Sequence, residues 1–240
     1  MTGPAPVLLV GAGGIGAPAA IALGAAGLSA LDVADDDRVE LSNLHRQILF
    51  ADADVGRSKL DAFAGRLGTR FPRLVVGRIE GRVVPESALA LVEGRGVVID
   101  ATDNFASRFL LADACSIARV PVVHAAAVRW RATVVAVGRE GRPCYRCLFE
   151  EPPGEGAPDC ATAGVAGPVC GVAGAVAADR ALRLLAGDAS AVGSVVTYDG
   201  RRDLLREVPF RKRSACPLCG ETRRIRAMDP TLYEGPGTCG

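Results

Sequence analysis

Residues 7–16 read Val-Leu-Leu-Val-Gly-Ala-Gly-Gly-Ile-Gly, a short apolar run that ends in a glycine-rich turn. The run predicts a buried parallel strand, and residues 16–27 predict a helix directly after it. Such a turn directs backbone N–H groups at an anionic phosphate, and glycine leaves room for close approach. The candidate phosphate-binding residues are Gly11, Gly13, Gly14 and Gly16. A tight turn without a ligand is the alternative.

Strands and helices alternate from this turn as far as residue 126. Strands are predicted at 29–34, 74–80, 97–101 and 122–126, and helices at 58–68, 85–93 and 107–119. The alternation predicts an α/β fold, with a Rossmann-like, mostly parallel sheet and helices on both faces. Antiparallel strands should follow at 132–138, 194–199 and 204–209, and a helix rich in glycine and alanine at 164–187. We expect a single domain over 1–220 and a flexible tail over 221–240.

Composition limits the classes of function. The chain has 240 residues, 49% of them hydrophobic, and a formal net charge of +1. Because no basic excess is present to release phosphate counterions, coating of nucleic acid is excluded. A basic run at 201–213 is either a solvated hairpin face or a patch that docks a partner. No secretory signal is visible, and the apolar run at 164–178 is shorter than the about 20 residues of a membrane span. We therefore expect a cytoplasmic protein without membrane contact.

An acidic residue stands 19 positions after Gly16 (35 − 16), just past the second predicted strand. A dinucleotide-binding domain needs such a residue to hold the ribose hydroxyls, and Asp35 fits that position. Asp37 follows in the same loop, either as a supporting partner of the site or as a solvated acid.

Three polar residues beyond this loop suit a triphosphate and have no use in nicotinamide chemistry. They are Asn43, Arg46 and Lys59. A cation at the start of a helix opposes the helix dipole unless an anion is near, which favours a phosphate contact for Lys59.

The fourth predicted strand ends in Thr102-Asp103-Asn104, over the same crevice. A carboxylate beside a nucleotide suits Mg²⁺, which prefers one or two carboxylates together with phosphate oxygens. Asp103 is therefore the candidate magnesium ligand and Asn104 a candidate nucleotide contact. The alternative for Asp103 is a cap for the helix that follows.

The cysteines fall into two groups. Cys144, Cys147, Cys216 and Cys219 form two Cys-x-x-Cys motifs separated by 68 residues (216 − 147 − 1). Two such motifs predict a closed, structural zinc site with four cysteine ligands; a redox pair is the alternative. Cys115 and Cys170 are predicted core residues, and Cys239 lies in the tail. Cys160 precedes a predicted helix whose N-terminus can lower a thiol pKa, so it is a candidate nucleophile, although the adjacent Asp159 opposes thiolate formation.

Six motifs occur in order over residues 7–220. They are Gly-Ala-Gly-Gly-Ile-Gly, Asp-Asp-Asp-Arg-Val-Glu-Leu-Ser-Asn-Leu-His-Arg-Gln-Ile-Leu-Phe, Ala-Thr-Asp-Asn, Cys-Tyr-Arg-Cys-Leu, Asp-Cys-Ala-Thr-Ala-Gly-Val and Cys-Pro-Leu-Cys-Gly. Together they resemble the ThiF/MoeB/HesA family, bacterial relatives of the ubiquitin-activating enzymes, and look closer to the ThiF branch. The resemblance implies a homodimeric adenylyltransferase that uses ATP and Mg²⁺ on the C-terminal glycine carboxylate of a small ubiquitin-like sulfur carrier ending in Gly-Gly.

The resemblance also assigns roles to residues. The positions that match the family's ATP site are Gly13, Asp35, Asn43, Arg46, Lys59 and Asp103. The four Cys-x-x-Cys cysteines match its zinc ligands, and Cys160 matches the cysteine implicated in covalent linkage to the carrier. The pathway implied is thiamine or related sulfur-transfer biosynthesis; molybdopterin, cysteine, a secondary metabolite and a peptide antibiotic precursor are the alternatives.

One departure from the family pattern keeps other functions open. Family members usually carry a helix before the first strand, with an arginine that reaches the neighbouring subunit's ATP site, and residues 1–6 contain no arginine. Arginines at 223, 224 and 226 are candidate substitutes. The main rival is a non-catalytic nucleotide-binding scaffold that pairs with a full-length relative. A nicotinamide oxidoreductase would explain the glycine turn and Asp35 but not Arg46, Lys59 or Asp103.

Overall fold

The structure is a computed structural model, and it describes residues 6–152 and 163–233. The strands are β1 Val7–Val10, β2 Ala30–Asp35, β3 Val75–Glu80, β4 Val97–Asp100, β5 Val122–Val128, β6 Arg131–Val137, β7 Ser194–Asp199 and β8 Leu204–Pro209. The helices are α1 Gly16–Ala25, α2 Lys59–Arg70, α3 Pro85–Val92, α4 Phe105–Ala118 and α5 Gly167–Leu185.

All eight strands form one sheet in the order β3-β2-β1-β4-β5-β6-β7-β8. The first five of these are parallel neighbours, and β6, β7 and β8 are each antiparallel to the strand before them. The strand order reverses between β1 and β4, where open α/β sheets bind ligands at their carboxyl edge. The predicted α/β fold, mostly parallel with antiparallel strands towards the C-terminus, is confirmed.

Helices cover both faces of the sheet because β1 is apolar on both. Val7 and Leu9 belong to the core under α1, α2 and α5, whereas Leu8 and Val10 belong to the core under α3 and α4. The glycines of α5 permit close packing: a Cβ on Gly174 would lie 2.5 Å from the carbonyl oxygen of Ile15, at the start of α1. This contact holds α5 directly behind the glycine turn. Within the described residues no helix is long and apolar enough to cross a membrane.

The segment after residue 220 differs from the expected flexible tail over its described part, 221–233. Ile225 and Tyr233 are buried there. The Tyr233 hydroxyl donates to the buried carboxylate of Asp113 at 2.9 Å, and the Ile225 N–H donates to the Pro217 carbonyl at 3.0 Å. Isolated apolar residues without periodicity gave no sign of this packing, because each is buried by a contact with a distant part of the chain.

Candidate nucleotide site and metal centre

The glycine turn has the form that phosphate binding needs. Gly11 has a φ of +101°, and a Cβ on it would lie 2.8 Å from the Ala101 carbonyl oxygen of the neighbouring strand end. A Cβ on Gly16 would overlap the Gly11 carbonyl oxygen. Helix α1 begins here without a side-chain cap and without an acidic residue in its first turn. The N–H groups of residues 13–16 bond no acceptor in the described part of the chain, so they are open to an anion.

Asp35 lies at the end of β2, beside the glycine turn. One carboxylate oxygen accepts the Ala12 N–H at 2.7 Å and the other accepts the Asp37 N–H at 2.9 Å. These bonds fix the carboxylate between the turn and its own loop. Each oxygen keeps a second lone pair, so the fixed group can still accept bonds from ribose hydroxyls.

Lys59 and Asp37 form a pair across the mouth of the site. The Lys59 Nζ lies 2.6 Å from Asp37 Oδ2, and the Lys59 side chain is only 6% exposed against 56% for Asp37. Asp37 thus pairs with Lys59 although its own side chain is largely exposed. The anion that accompanies Lys59 at the start of α2 is this carboxylate, so its position at a helix N-terminus does not by itself require a phosphate.

Arg46 lies against the glycine turn at Gly14. Its Cγ lies 3.3 Å from the position that a Cβ on Gly14 would take. The carbonyl of Asn43 accepts the backbone N–H of Arg46 at 3.1 Å and that of Gln47 at 3.0 Å, so the segment is a compact turn. Within residues 6–152 and 163–233, no carboxylate pairs with the Arg46 guanidinium. Arg46 is therefore a residue beside the glycine turn whose positive charge has no charged partner in the described residues.

The strand end after β4 brings Asp103 to the same edge, and its side chain is exposed. The hydrogen bond and charge of Asp36, followed by the charges of Asp37 and Asp103, raise the pKa of Arg82. The charge of Asp103 therefore acts on the same guanidinium that pairs with Asp36. Asn104, not Asp103, caps α4: its side-chain oxygen accepts the Ser107 N–H at 2.8 Å. Asp103 is thus free of the capping role that was its alternative.

Asp35, Asp36 and Asp37 lie close enough together to be considered as a cation site. Each already has a donor partner, since Asp35 accepts two N–H groups, Asp36 pairs with Arg82 at 2.7 Å and Asp37 pairs with Lys59. Clustering alone gives no reason to assign a metal to them.

A buried network beneath Asp103 was missed by sequence reasoning. Asp100 is fully buried and accepts the Thr102 N–H at 3.0 Å and its hydroxyl at 2.6 Å. His124 Nδ1 lies 2.7 Å from the other Asp100 oxygen. Although burial raises the pKa of Asp100, the charge of Arg108 and the hydrogen bonds from His124 and Thr102 together lower it. A signal existed, since an aspartate inside the apolar run 97–101 needs a buried partner.

The metal centre is formed by Cys144, Cys147, Cys216 and Cys219, all buried. The Sγ–Sγ distances are 3.8 Å for Cys144–Cys147, 3.5 Å for Cys144–Cys216 and 3.4 Å for Cys147–Cys219. Four thiolates about 2.3 Å from a tetrahedral Zn²⁺ are separated by about 3.8 Å, so the cluster fits zinc. With four sulfur ligands no position would be left for a substrate, so a zinc ion bound there would be structural.

Two of the other cysteines are core residues. Cys115 and Cys170 are buried as predicted, and burial raises the pKa of the Cys115 thiol. Cys160, Asp159 and Cys239 lie outside the described residues, so the predicted nucleophile has no geometry to report.

Comparisons with known proteins agree with this fold. The chain is 42% identical over 217 residues to the SAMP-activating enzyme E1 of Haloferax volcanii, covering 90% of this chain and 80% of that protein. It is 38% identical to the sulfur carrier protein adenylyltransferase of Thermus thermophilus, covering 93% of this chain and 85% of that protein. Adenylyltransferase and sulfurtransferase MOCS3 of Anopheles gambiae is 39% identical, but the chain spans only 52% of its length. These names agree with the adenylyltransferase class predicted from the sequence.

A solved structure of E. coli MccB has a TM-score of 0.78 at 21% identity, over 90% of this chain and 67% of that one, which supports the fold alone. The model of the family described as "ThiF family" matches residues 4–218. Nearly the whole described fold, from the glycine turn to Leu218 inside the second Cys-x-x-Cys, thus lies inside one match, and the chain belongs to the ThiF family.

Proposed function

We propose that the protein is an ATP-dependent adenylyltransferase acting on the C-terminal glycine carboxylate of a small ubiquitin-like sulfur carrier. Two relatives that the chain covers over most of their length are named for activating SAMP and for adenylylating a sulfur carrier protein. Family membership and these names support the reaction class.

The observation that carries the proposal is the charge arrangement around the glycine turn. Helix α1 starts without a cap beside Gly14, and the stem of Arg46, which has no charged partner in the described part of the chain, lies against that glycine. Lys59 adds a buried ammonium whose paired carboxylate is largely exposed. A phosphate group suits the turn and Arg46, because it carries negative charge and accepts hydrogen bonds, whereas the nearby carboxylates call for a cation such as Mg²⁺ to accompany it.

The chemistry asks little of general acids or bases. A C-terminal carboxylate is already ionised at neutral pH, so it can attack the α-phosphorus without a base. A carboxylate oxygen–phosphorus bond forms, the bond to the β-phosphate bridging oxygen breaks, and pyrophosphate leaves with those electrons. Asp35 would orient the ribose, and Arg46 and Lys59 would neutralise the phosphates. Asp103 would hold Mg²⁺, which supplies further charge neutralisation at the phosphate oxygens.

Lys59 can serve this reaction only by sharing its proton donors. An ammonium group has three N–H donors, and Asp37 Oδ2 takes one of them. The other two can reach phosphate oxygens while Asp37 keeps the buried nitrogen in place. Asp37 is therefore a positioning residue for Lys59.

Finer parts of the proposal concern partner, assembly and pathway. We propose a homodimer, a carrier ending in Gly-Gly, and thiamine or related sulfur-transfer biosynthesis. None of the three curated relatives named above mentions thiamine in its name. Cys160 would act after adenylation, its thiolate attacking the acyl-adenylate carbonyl to form a thioester and release AMP.

ATP–pyrophosphate exchange tests the reaction. Zinc-loaded protein should incorporate labelled pyrophosphate into ATP only when a carrier ending in Gly-Gly is present, and not with the same carrier lacking its last two residues. Arg46→Ala should lower the exchange rate by about 10²-fold, comparable to removing one oxyanion donor. Arg78→Ala, which removes an exposed arginine of β3, should leave the rate unchanged. Absence of exchange with every carrier from folded, ATP-binding protein would favour the scaffold function instead.

A further inference from the structure

The turn between β5 and β6 places the only tryptophan of the chain at the carboxyl edge of the sheet. Strand β5 runs parallel to β4 and ends at Val128, and Trp130 follows with 42% of its surface exposed. The β7–β8 turn reaches the same edge, because β7 is antiparallel to β6, which is antiparallel to β5. Trp130 therefore lies on the same edge as the glycine turn and Asp103.

The indole ring rests on the β7–β8 turn. The Trp130 carbonyl accepts the Gly200 N–H at 2.8 Å. A Cβ on Gly200 would lie 3.4 Å from Trp130 Cε3, 3.3 Å from the Tyr198 ring and 3.0 Å from Val169 Cγ2. Val169 belongs to the first turn of α5, so the tryptophan borders that helix start.

The first turn of α5 also borders the phosphate site. A Cβ on Gly167 would lie 2.6 Å from the His45 carbonyl oxygen and 3.5 Å from Arg46 Cα. Trp130 and Arg46 thus lie on either side of one helical turn. A chain lying over Trp130 and continuing past this turn would reach Arg46 and the glycine turn.

The side of the site next to Trp130 is the one from which a carrier tail could approach a bound nucleotide. In the proposed reaction Asp35, at the end of β2, would hold the ribose towards β2 and β3, where Arg82 and its paired Asp36 also stand. A nucleophile directed at the α-phosphorus must then come from the β4–β5 side. Residues 164–166, which follow the stretch containing Cys160, pair with the same turn: the Arg129 N–H donates to the Gly164 carbonyl at 2.8 Å, and the Ala166 N–H donates to the Arg129 carbonyl at 2.9 Å.

We propose, resting on the proposed function, that Trp130 contacts the last residues of the carrier's C-terminal tail and determines the preference for a glycine pair. Residues without a Cβ let an extended backbone lie flat on an aromatic face, whereas a side chain pointing at the ring lifts the backbone away. The exposed Arg129 beside the ring adds positive charge along the path of the terminal carboxylate.

Because Trp130 is the sole tryptophan, its fluorescence reports tail binding directly. The titration uses a tryptophan-free carrier ending in Gly-Gly, added in the presence of a non-hydrolysable ATP analogue. We expect a saturable change in emission that the same carrier lacking its last two residues does not produce, even though calorimetry still detects that carrier binding. An equal change with both carriers would overturn the inference.

Steady-state exchange kinetics distinguish a loss of carrier binding in Trp130 variants from a loss of folded protein. Trp130→Ala should raise the KM for the carrier by about tenfold with the KM for ATP unchanged, and Trp130→Phe should stay within about twofold of wild type. Trp130→Ala should also accept a Val-Gly tail better than wild type does. If the wild-type protein catalyses exchange and Trp130→Ala has the same KM for the carrier, the tail contact is refuted but the adenylation reaction is not. Folded wild-type protein without exchange would refute both.

Discussion

Substitution of Arg146, which lies between Cys144 and Cys147, should show how strongly the stability of the protein depends on one buried ion pair. Its guanidinium donates twice to the Asp113 carboxylate, with both N–O distances 2.8 Å, and the two side chains are 3% and 0% exposed. A third bond reaches the Glu150 carbonyl at 2.8 Å, and the guanidinium lies 4.9 Å from the Phe109 ring centroid. Arg146→Met keeps most of the volume but leaves a buried carboxylate without its cation.

The expected cost follows from that burial. Breaking a buried pair by removing one partner costs about 3–5 kcal/mol, a large share of the about 5–15 kcal/mol that stabilises a native protein. For a chain of this length the loss corresponds to a Tm lower by on the order of 10 °C. The matched control is Arg78→Met: its ion pair with Asp61 is 2.6 Å long, but the side chains are 55% and 52% exposed. We expect it to lose less than about 1 kcal/mol.

Urea unfolding of the zinc-saturated variants measures both effects. Adding Asp113→Asn to Arg146→Met should restore at least about 2 kcal/mol, because no buried charge then remains unpaired. Burial raises the pKa of Asp113 even beside Arg146, so the folded state binds this proton more tightly than the unfolded state. The deficit of Arg146→Met should therefore shrink as pH falls and the carboxyl becomes neutral. Equal losses in Arg146→Met and Arg78→Met would refute this reasoning.

Three further predictions concern the nucleotide edge and the metal. Lys59→Ala should lower the exchange rate by about 10²-fold, while Asp37→Asn, which keeps an oxygen near the ammonium, should lower it by less. Chelation of zinc should remove a folding contribution on the order of 10 kcal/mol, seen as loss of circular dichroism together with metal release. The folded-state pKa of Asp100 is lowered, so its stabilising contribution is present above the unfolded pKa and is lost as pH falls through the folded pKa. The free energy of unfolding should thus fall below a pH of about 4, and Asp100→Asn should flatten that decline.

Sequence reasoning succeeded where local pattern and chain order decide the outcome. The strands at 194–199 and 204–209 were predicted with the bounds that the structure has, because each is a short run with valine or leucine between turn residues. The two Cys-x-x-Cys motifs were predicted to meet although 68 residues separate them (216 − 147 − 1), because four thiolates satisfy one Zn²⁺.

It failed where the partner of a residue is set by the fold. Nothing near Lys59 in the chain indicates that Asp37, 22 positions earlier, supplies its anion. Likewise Asp100 meets His124 only because β4 and β5 pair in a register that aligns those two residues. Tyr233 packs into the core under α3 and α4 and donates to Asp113, 120 positions away. Contacts of this kind carry no periodicity, so no local pattern can predict them.

A short chain of contacts joins the four-cysteine cluster to the edge of the sheet where the candidate nucleotide site lies. Tyr145 stands between two of the zinc-binding cysteines, and its ring centroid lies 4.5 Å from that of His124. His124 bonds Asp100, which holds Thr102 by two bonds, and Asp103 is the next residue. A closed site of four cysteine ligands cannot take part in phosphoryl chemistry, but packing of this density transmits displacement. A zinc ion bound by these cysteines would therefore serve the proposed function by fixing the position of the turn that carries Asp103.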